Sequence, residues 1–256
     1  MLKQKHTLIA LDKVDFGYEP KKPILHDVSF SINKNEHVCI IGANGCGKST
    51  LVKLIVGLFK PHTGNIYFNN ELINNTNVQK LKNATGIVFE NPDNQFIGLT
   101  VQDEIAFGLE NHCVPREKMQ AIINTVAKYV GITNLLPSAT KNLSGGEKQL
   151  VAIASVLATN PQLIIFDEVT SMLDARAKNK INNLKDLLVK NKHKTVISIT
   201  HDMDEAAEAD RIIVLNKGRV VLDGKPEQIF NSKKLLSLSL DKPFDYKIAQ
   251  KIKGRG

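Results

Sequence analysis

The sequence predicts an α/β fold: a mostly parallel sheet, an antiparallel β piece near the start and a helical insertion in the middle. Three observations carry that expectation. In the last third, apolar runs of strand length alternate with amphipathic stretches of helical period. In the first third, β-rich runs are strung between turns, and a glycine-rich run joins an apolar strand to a helix. From about residue 100 to 159, apolar faces recur with period 3.6 almost throughout.

Taken in order, LIALDKVDFGY at 8–18, HVCIIG at 37–42 and GNIYFN at 64–69 read as strands, the last following a Pro-His-Thr-Gly turn at 61–64. KSTLVKLIVGLF at 48–59 is apolar at helical spacing and closes near Gly57. TVQDEIAFGLEN at 100–111, PREKMQAIINTVAKYVGI at 115–132 and EKQLVAIASVLATN at 147–160 read as helices. LIIFDE at 163–168 is a buried strand and ARAKNKINNLKDLLVKN at 175–191 a basic amphipathic helix. TVISIT at 195–200 is again a strand and DEAAEA at 204–209 a short helix; RIIVL and RVVLDG then form a hairpin around Asn216-Lys217-Gly218.

A chain of 256 residues with 42% hydrophobic and 23% charged residues has ordinary globular composition. At that length it needs no disulfide or metal to complete a core. Cys39, Cys46 and Cys113 are scattered and read as reduced thiols. The start, MLKQKHTLIALDK, is too short in apolar residues for a signal-peptide core, and no run approaches the ~20 apolar residues of a membrane span. Any membrane role therefore comes through partners. The net charge of +8 invites a nucleic-acid reading. The charge is spread along helices and the tail without a nucleic-acid motif, so no nucleic acid is expected; a basic face towards anionic lipid fits better.

Residues 42–49, GANGCGKS, fit G-x-x-x-x-G-K-[ST] between the strand VCII and the helix beginning at Lys48, the context that gives the motif its meaning. Gly42, Gly45 and Gly47 let the backbone wrap closely, so amides from Ala43, Asn44, Cys46 and Thr50 converge with them on phosphates. Lys48 brings a point charge to the β/γ oxygens, the Ser49 hydroxyl can ligate Mg²⁺, and the helix N-terminus adds its dipole. Cys46 reads as a space-filler, with a pKa expected to fall beside that terminus. LIIFDE supplies the second half: Asp167 for the metal and Glu168 to polarise water. The chain is thus expected to bind ATP with Mg²⁺ on a P-loop NTPase core.

LSGGEKQ at 143–149 resembles the signature motif of ABC ATPases, with Glu147 at its glutamine; Ser144, Gly145 and Gly146 open a helix and form a second anion site. Tyr18 in FGY resembles that family's adenine-stacking aromatic, SMLD at 171–174 its D-loop ending in Asp174, and His201 in ITHD its switch histidine. The resemblance implies an ABC ATPase domain over 1–230, with a helical insertion at about 95–160 and a short C-terminal extension at 231–256. It also implies that each ATP lies between Lys48 of one subunit and Ser144 of another.

VFENPDNQFIGLTVQDEIAFGLEN at 88–111, DEVTSMLD at 167–174 and LDKPF at 240–244 are similar to ATPases of energy-coupling factor transporters, importers of vitamins and transition-metal ions. The NPDNQF run resembles the first of their two paralogous ATPases. The resemblance implies three partners: a second ATPase subunit, paralogous or identical, a transmembrane coupling protein, and a substrate-binding membrane subunit. It places the chain peripherally on the cytoplasmic face of the cell membrane. Glu90 stands at the glutamine of the Q-loop, a third candidate metal ligand, and Leu150 replaces an arginine. The KIKGRG end at 251–256 reads as truncated, which leaves a C-terminal dimer contact open. Another ABC importer with a dedicated permease, for cobalt or nickel, stays open. So does a soluble ABC ATPase of iron–sulfur assembly or translation, although translation factors carry two cassettes and this chain carries one.

Overall fold

Strand and helix alternate along the chain in a computed structural model that describes residues 6–19, 22–238 and 240–247. First come β1 (Thr7–Phe16), β2 (Leu25–Asn33), β3 (His37–Ile41), α1 (Lys48–Ile55), β4 (Thr63–Phe68), β5 (Glu71–Leu72) and α2 (Val78–Asn83). The middle holds β6 (Thr85–Val88), α3 (Val101–Asn111), α4 (Arg116–Val130), α5 (Gly145–Ala158), β7 (Leu163–Asp167) and α6 (Ala175–Lys192). The last part holds β8 (Thr195–Ile199), α7 (Met203–Ala207), β9 (Arg211–Asn216), β10 (Arg219–Gly224), α8 (Pro226–Phe230) and α9 (Lys233–Leu236). The start of MLKQK and the KIKGRG end lie outside the described residues.

The chain divides into two compact units, residues 1–81 with 195–256, and residues 82–194. In the first unit the antiparallel piece is a sheet of order β2-β1-β4-β5. β1 is its inner strand, with Leu11 opposite Phe30 on one side and Ile66 on the other. Thr7–Leu11 is buried continuously rather than alternately, the pattern of a strand covered on both faces. The same unit carries β3 between β8 and β9, parallel to both, with β10 antiparallel to β9. All five residues of β3, His-Val-Cys-Ile-Ile, are buried, as befits an inner parallel strand. The β9–β10 turn places Lys217 at φ 45 and Gly218 at φ 74, the paired left-handed conformation that suits a tight hairpin.

In the second unit β6 runs parallel to β7, with Val88 opposite Phe166. Helices α3 and α4 both pack on α5, whose Leu150–Ala154 stretch is buried. Thr100 and Asp103 close a reciprocal capping box on α3, and Gly131 at φ 76 ends α4. Cys39 and Cys46 are buried free thiols and Cys113 an exposed one. Among the described residues no helix is long and apolar enough to cross a membrane.

Candidate nucleotide site

The phosphate loop follows β3 because glycine permits what its path demands. Gly45 and Gly47 take φ of 76 and 108. A Cβ on Gly42 would stand 2.2 Å from the Leu215 carbonyl oxygen and 2.7 Å from Cys46 Sγ. The loop is tied to the β9–β10 hairpin, where the Gly218 amide donates to the Cys46 carbonyl at 3.0 Å. Buried Lys48 folds back across the loop, its Nζ donating to Gly42 O at 2.9 Å and Ala43 O at 3.4 Å. Ala43, Asn44, Gly45 and Ser49 are exposed. The loop is therefore pre-shaped, with its cation held by carbonyls that a polyphosphate can replace.

Cys46 corrects one expectation. The helix terminus does not leave it acidic: burial dominates and pushes the thiol above its usual value, with the charge of Lys48 only partly opposing. Tyr18 meets the end of the loop, its Oη 3.4 Å from Thr50 Oγ1 and 3.2 Å from Lys53 Nζ. Its ring stands roughly perpendicular to Phe16 and Phe59, with Lys53 Nζ 5.4 Å over its centroid, and half the residue remains exposed. The Thr50 hydroxyl, with Lys53 adding to it against some burial, holds the Tyr18 hydroxyl below the ordinary tyrosine value. His201 follows β8, whose Ile199 lies opposite Ile40 of β3. Parallel neighbours in that register release His201 and the phosphate loop at one sheet edge, where α/β sheets bind ligands.

The second unit repeats the geometry with carboxylates. β6 and β7 run in register, so Glu90 and Glu168 each leave a strand two residues beyond the Val88–Phe166 pair. Asp167 ends β7, and Glu168 sits at φ 53, a left-handed conformation that costs a non-glycine residue roughly 1 kcal/mol or more. Ser171 donates its hydroxyl to Glu90 Oε1 at 3.0 Å. Buried Gln149 donates through Nε2 to the carbonyls of Phe89 at 3.1 Å and Glu90 at 2.7 Å. Lys148 pairs with Asp93 at 2.7 Å. Sequence reasoning missed Ser171, Lys148 and Gln149 as supports of the Glu90 loop. A polar Gln149 among Leu150, Val151 and Ile153 was the available signal.

Ser144 caps α5, and Glu147 answers it, Oε2 accepting from the Ser144 amide at 2.9 Å and hydroxyl at 2.8 Å. Asp174 caps α6 by accepting from the Ala177 amide at 2.8 Å. Ser144, Gly145, Gly146 and Asp174 together line one cavity of about 490 Å³. The predicted metal donors are divided: Ser49 lies in the first unit, Asp167 and Glu90 in the second. Hydroxyl and carboxylate oxygens are the hard donors that Mg²⁺ takes. Among the described residues no group of three or more His, Cys, Asp or Glu forms a metal site by itself.

The ABC transporter family profile matches residues 25–171. The chain belongs to the ABC transporter family. This ABC ATPase is 50% identical over 251 residues to the energy-coupling factor transporter ATP-binding protein EcfA1 of Mycoplasma pneumoniae, covering 98% of this chain and 91% of that one. It is also 50% identical to the energy-coupling factor transporter ATP-binding protein EcfA of Malacoplasma penetrans, over 99% of this chain and 88% of that one. Among solved structures, cbiO1 of Clostridium perfringens, part of the ABC transporter complex cbiONQ, matches with a TM-score of 0.84 at 32% identity. That match covers 96% of this chain and 99% of the other. The resemblance drawn from 88–111, 167–174 and 240–244 is borne out by these relatives, and the ABC ATPase fold by the solved structure.

Proposed function

We propose that this ABC ATPase binds ATP with Mg²⁺ between two subunits and hydrolyses it to power an energy-coupling factor importer. The observation that carries the split site is that a complete phosphate loop and a separate signature cavity occupy the two different units of one chain. Tyr18 stacks the adenine, the loop amides and Lys48 hold the phosphates, and Ser144 with its two glycines caps the nucleotide of a facing subunit. Glu168 orients the attacking water and takes its proton, while His201 supports the terminal phosphate. Ser49, Asp167 and Glu90 would hold Mg²⁺, which neutralises charge on the phosphates.

The partners proposed are a second ATPase subunit, a transmembrane coupling protein and a substrate-binding membrane subunit, at the cytoplasmic face of the membrane. An exposed apolar patch supports a protein partner: Phe89, Ile97 and Leu99 show 44%, 66% and 82% of their surface beside the Glu90 loop. The names of the relatives favour this over a soluble ATPase of iron–sulfur assembly or translation.

Mixing two variants tests the shared site. In pairs of this chain, a Lys48→Ala subunit and a Ser144→Arg subunit place both lesions in one composite site and leave the other intact. Phosphate release by the mixture above that of either variant alone is the expected result. No gain at any mixing ratio would reject the head-to-tail arrangement for pairs of this chain in which one intact site suffices for turnover.

A further inference from the structure

The family's signature carries a neutral glutamine where this chain has Glu147, and the added charge faces a triphosphate. Glu147 is not spent on a cation inside its own helix: its Oε2 is turned onto the Ser144 amide and hydroxyl. Asp174, on the wall of the same cavity, is another carboxylate and accepts from the Ala177 backbone amide. A polyanion entering there meets two like charges.

The same cavity contains their balance. Arg176 and Lys180, one turn apart on α6, line it opposite the signature. The helices meet closely at that point, since a Cβ on Gly146 would stand 3.1 Å from Ala177 Cβ. Lys180 has its own anchor. A Cβ on Gly131 would lie 3.6 Å from its Nζ, which puts the ammonium at the C-terminal end of α4, where the helix dipole favours a cation. Lys180 also contributes to holding the Glu147 carboxyl below the usual range, behind the larger effects of the Ser144 amide and hydroxyl. Glu147 is therefore ionised at neutral pH with a lysine in its field.

We infer that Lys180, with Arg176 beside it, is the counter-charge that lets a Glu147-bearing signature accept the phosphates of a nucleotide held by a second subunit. Lys180 is a positioning residue: it offsets Glu147, freeing the Ser144 hydroxyl to turn from that carboxylate to the incoming phosphate. The inference rests on the split-site reading above, and it makes Glu147 and Lys180 a compensated pair rather than two independent surface charges.

A double-mutant cycle on ATP-driven association tests it, in the full-length chain with Glu168→Gln added to block hydrolysis. Lys180→Met should weaken association in ATP about fivefold, the upper range for one exposed charge. Lys180→Arg should keep it. Adding Glu147→Gln to Lys180→Met should restore association to within about twofold, and the Lys180 effect should shrink as salt rises. A purely structural lysine would lower the melting temperature instead and show neither rescue nor salt dependence. Unchanged association in Lys180→Met, or a double variant no better than the single, overturns the inference. A parent protein that fails to associate in ATP overturns the split-site reading for pairs of this chain, and this inference with it.

Discussion

Ser171 donates its hydroxyl to Glu90 across 3.0 Å, joining the segment after β7 to the segment after β6 where the family places a neutral glutamine. The contact gives the extra carboxylate a resting partner near the D-loop. On the proposed reading, that carboxylate would add a negative charge beside the phosphates and Glu168. Glu90→Gln retains an oxygen able to accept from Ser171 and removes the charge. ATP turnover of the assembled transporter should rise several-fold, read as phosphate release. Slower turnover by the glutamine variant would show that Glu90 is needed as a metal-ligating carboxylate.

Glu168 is the residue assigned to water activation, and its backbone strain places the side chain where β7 ends. Glu168→Gln keeps size and hydrogen-bonding capacity but cannot take a proton. Hydrolysis should fall by about 10²–10⁴-fold while ATP binding persists, so ATP-bound pairs accumulate. Single-turnover hydrolysis and light scattering in ATP measure the two effects. Near-normal turnover would remove Glu168 from its role.

Gly42 has no room for a methyl group, because its neighbour is the Leu215 backbone carbonyl rather than a flexible side chain. Gly42→Ala must displace the loop or the hairpin, at a cost of about 1–3 kcal/mol. Both thermal stability and ATP affinity should drop. Gly45→Ala meets no atom within 4 Å but forces an alanine to φ 76, so it should cost less, on the order of 1 kcal/mol. Thermal unfolding with and without ATP ranks the two.

Asp15 links three strands' worth of chain, accepting from the Thr63 hydroxyl at 2.5 Å and from the Asp27 amide at 2.9 Å. The Thr63 bond first, then the Asp27 amide, hold its carboxyl below the usual value. A depressed folded-state pKa stabilises above the unfolded value, near about 4, and that contribution is lost as pH falls below it. Asp15→Asn should therefore lower the melting temperature at pH 7 and have a diminishing effect towards pH 3. An effect that grows on acidification would contradict the sign.

The central strands and the long helices were legible because their apolar periods are unbroken: β3, β7 and β8 as buried runs, α3 to α6 as striped faces. β2 was missed although Val28–Asn33 alternates buried and more exposed residues, because Asp27 at φ 50 interrupts the period after Leu25 and leaves only a short alternating run. β6 was hidden by its brevity and by Gly86, whose missing side chain leaves space filled by Val156. At the site, the loop glycines, Lys48 and Glu168 were readable because spacing alone fixes their neighbours along the chain. The grip of Gln149 on the Glu90 backbone joins residues 59 apart, and no local pattern encodes it. The Cys46 thiol misled because proximity to a helix terminus is visible in sequence and burial under a distant hairpin is not.

That hairpin has a consequence for how the protein is made. The phosphate loop leaves the ribosome long before Leu215 and Gly218, which wall and tether it. A nascent chain halted before residue 215 carries every loop residue and lacks the wall against which they are shaped. The closed shape of the loop is thereby deferred until the hairpin that follows β8 has emerged.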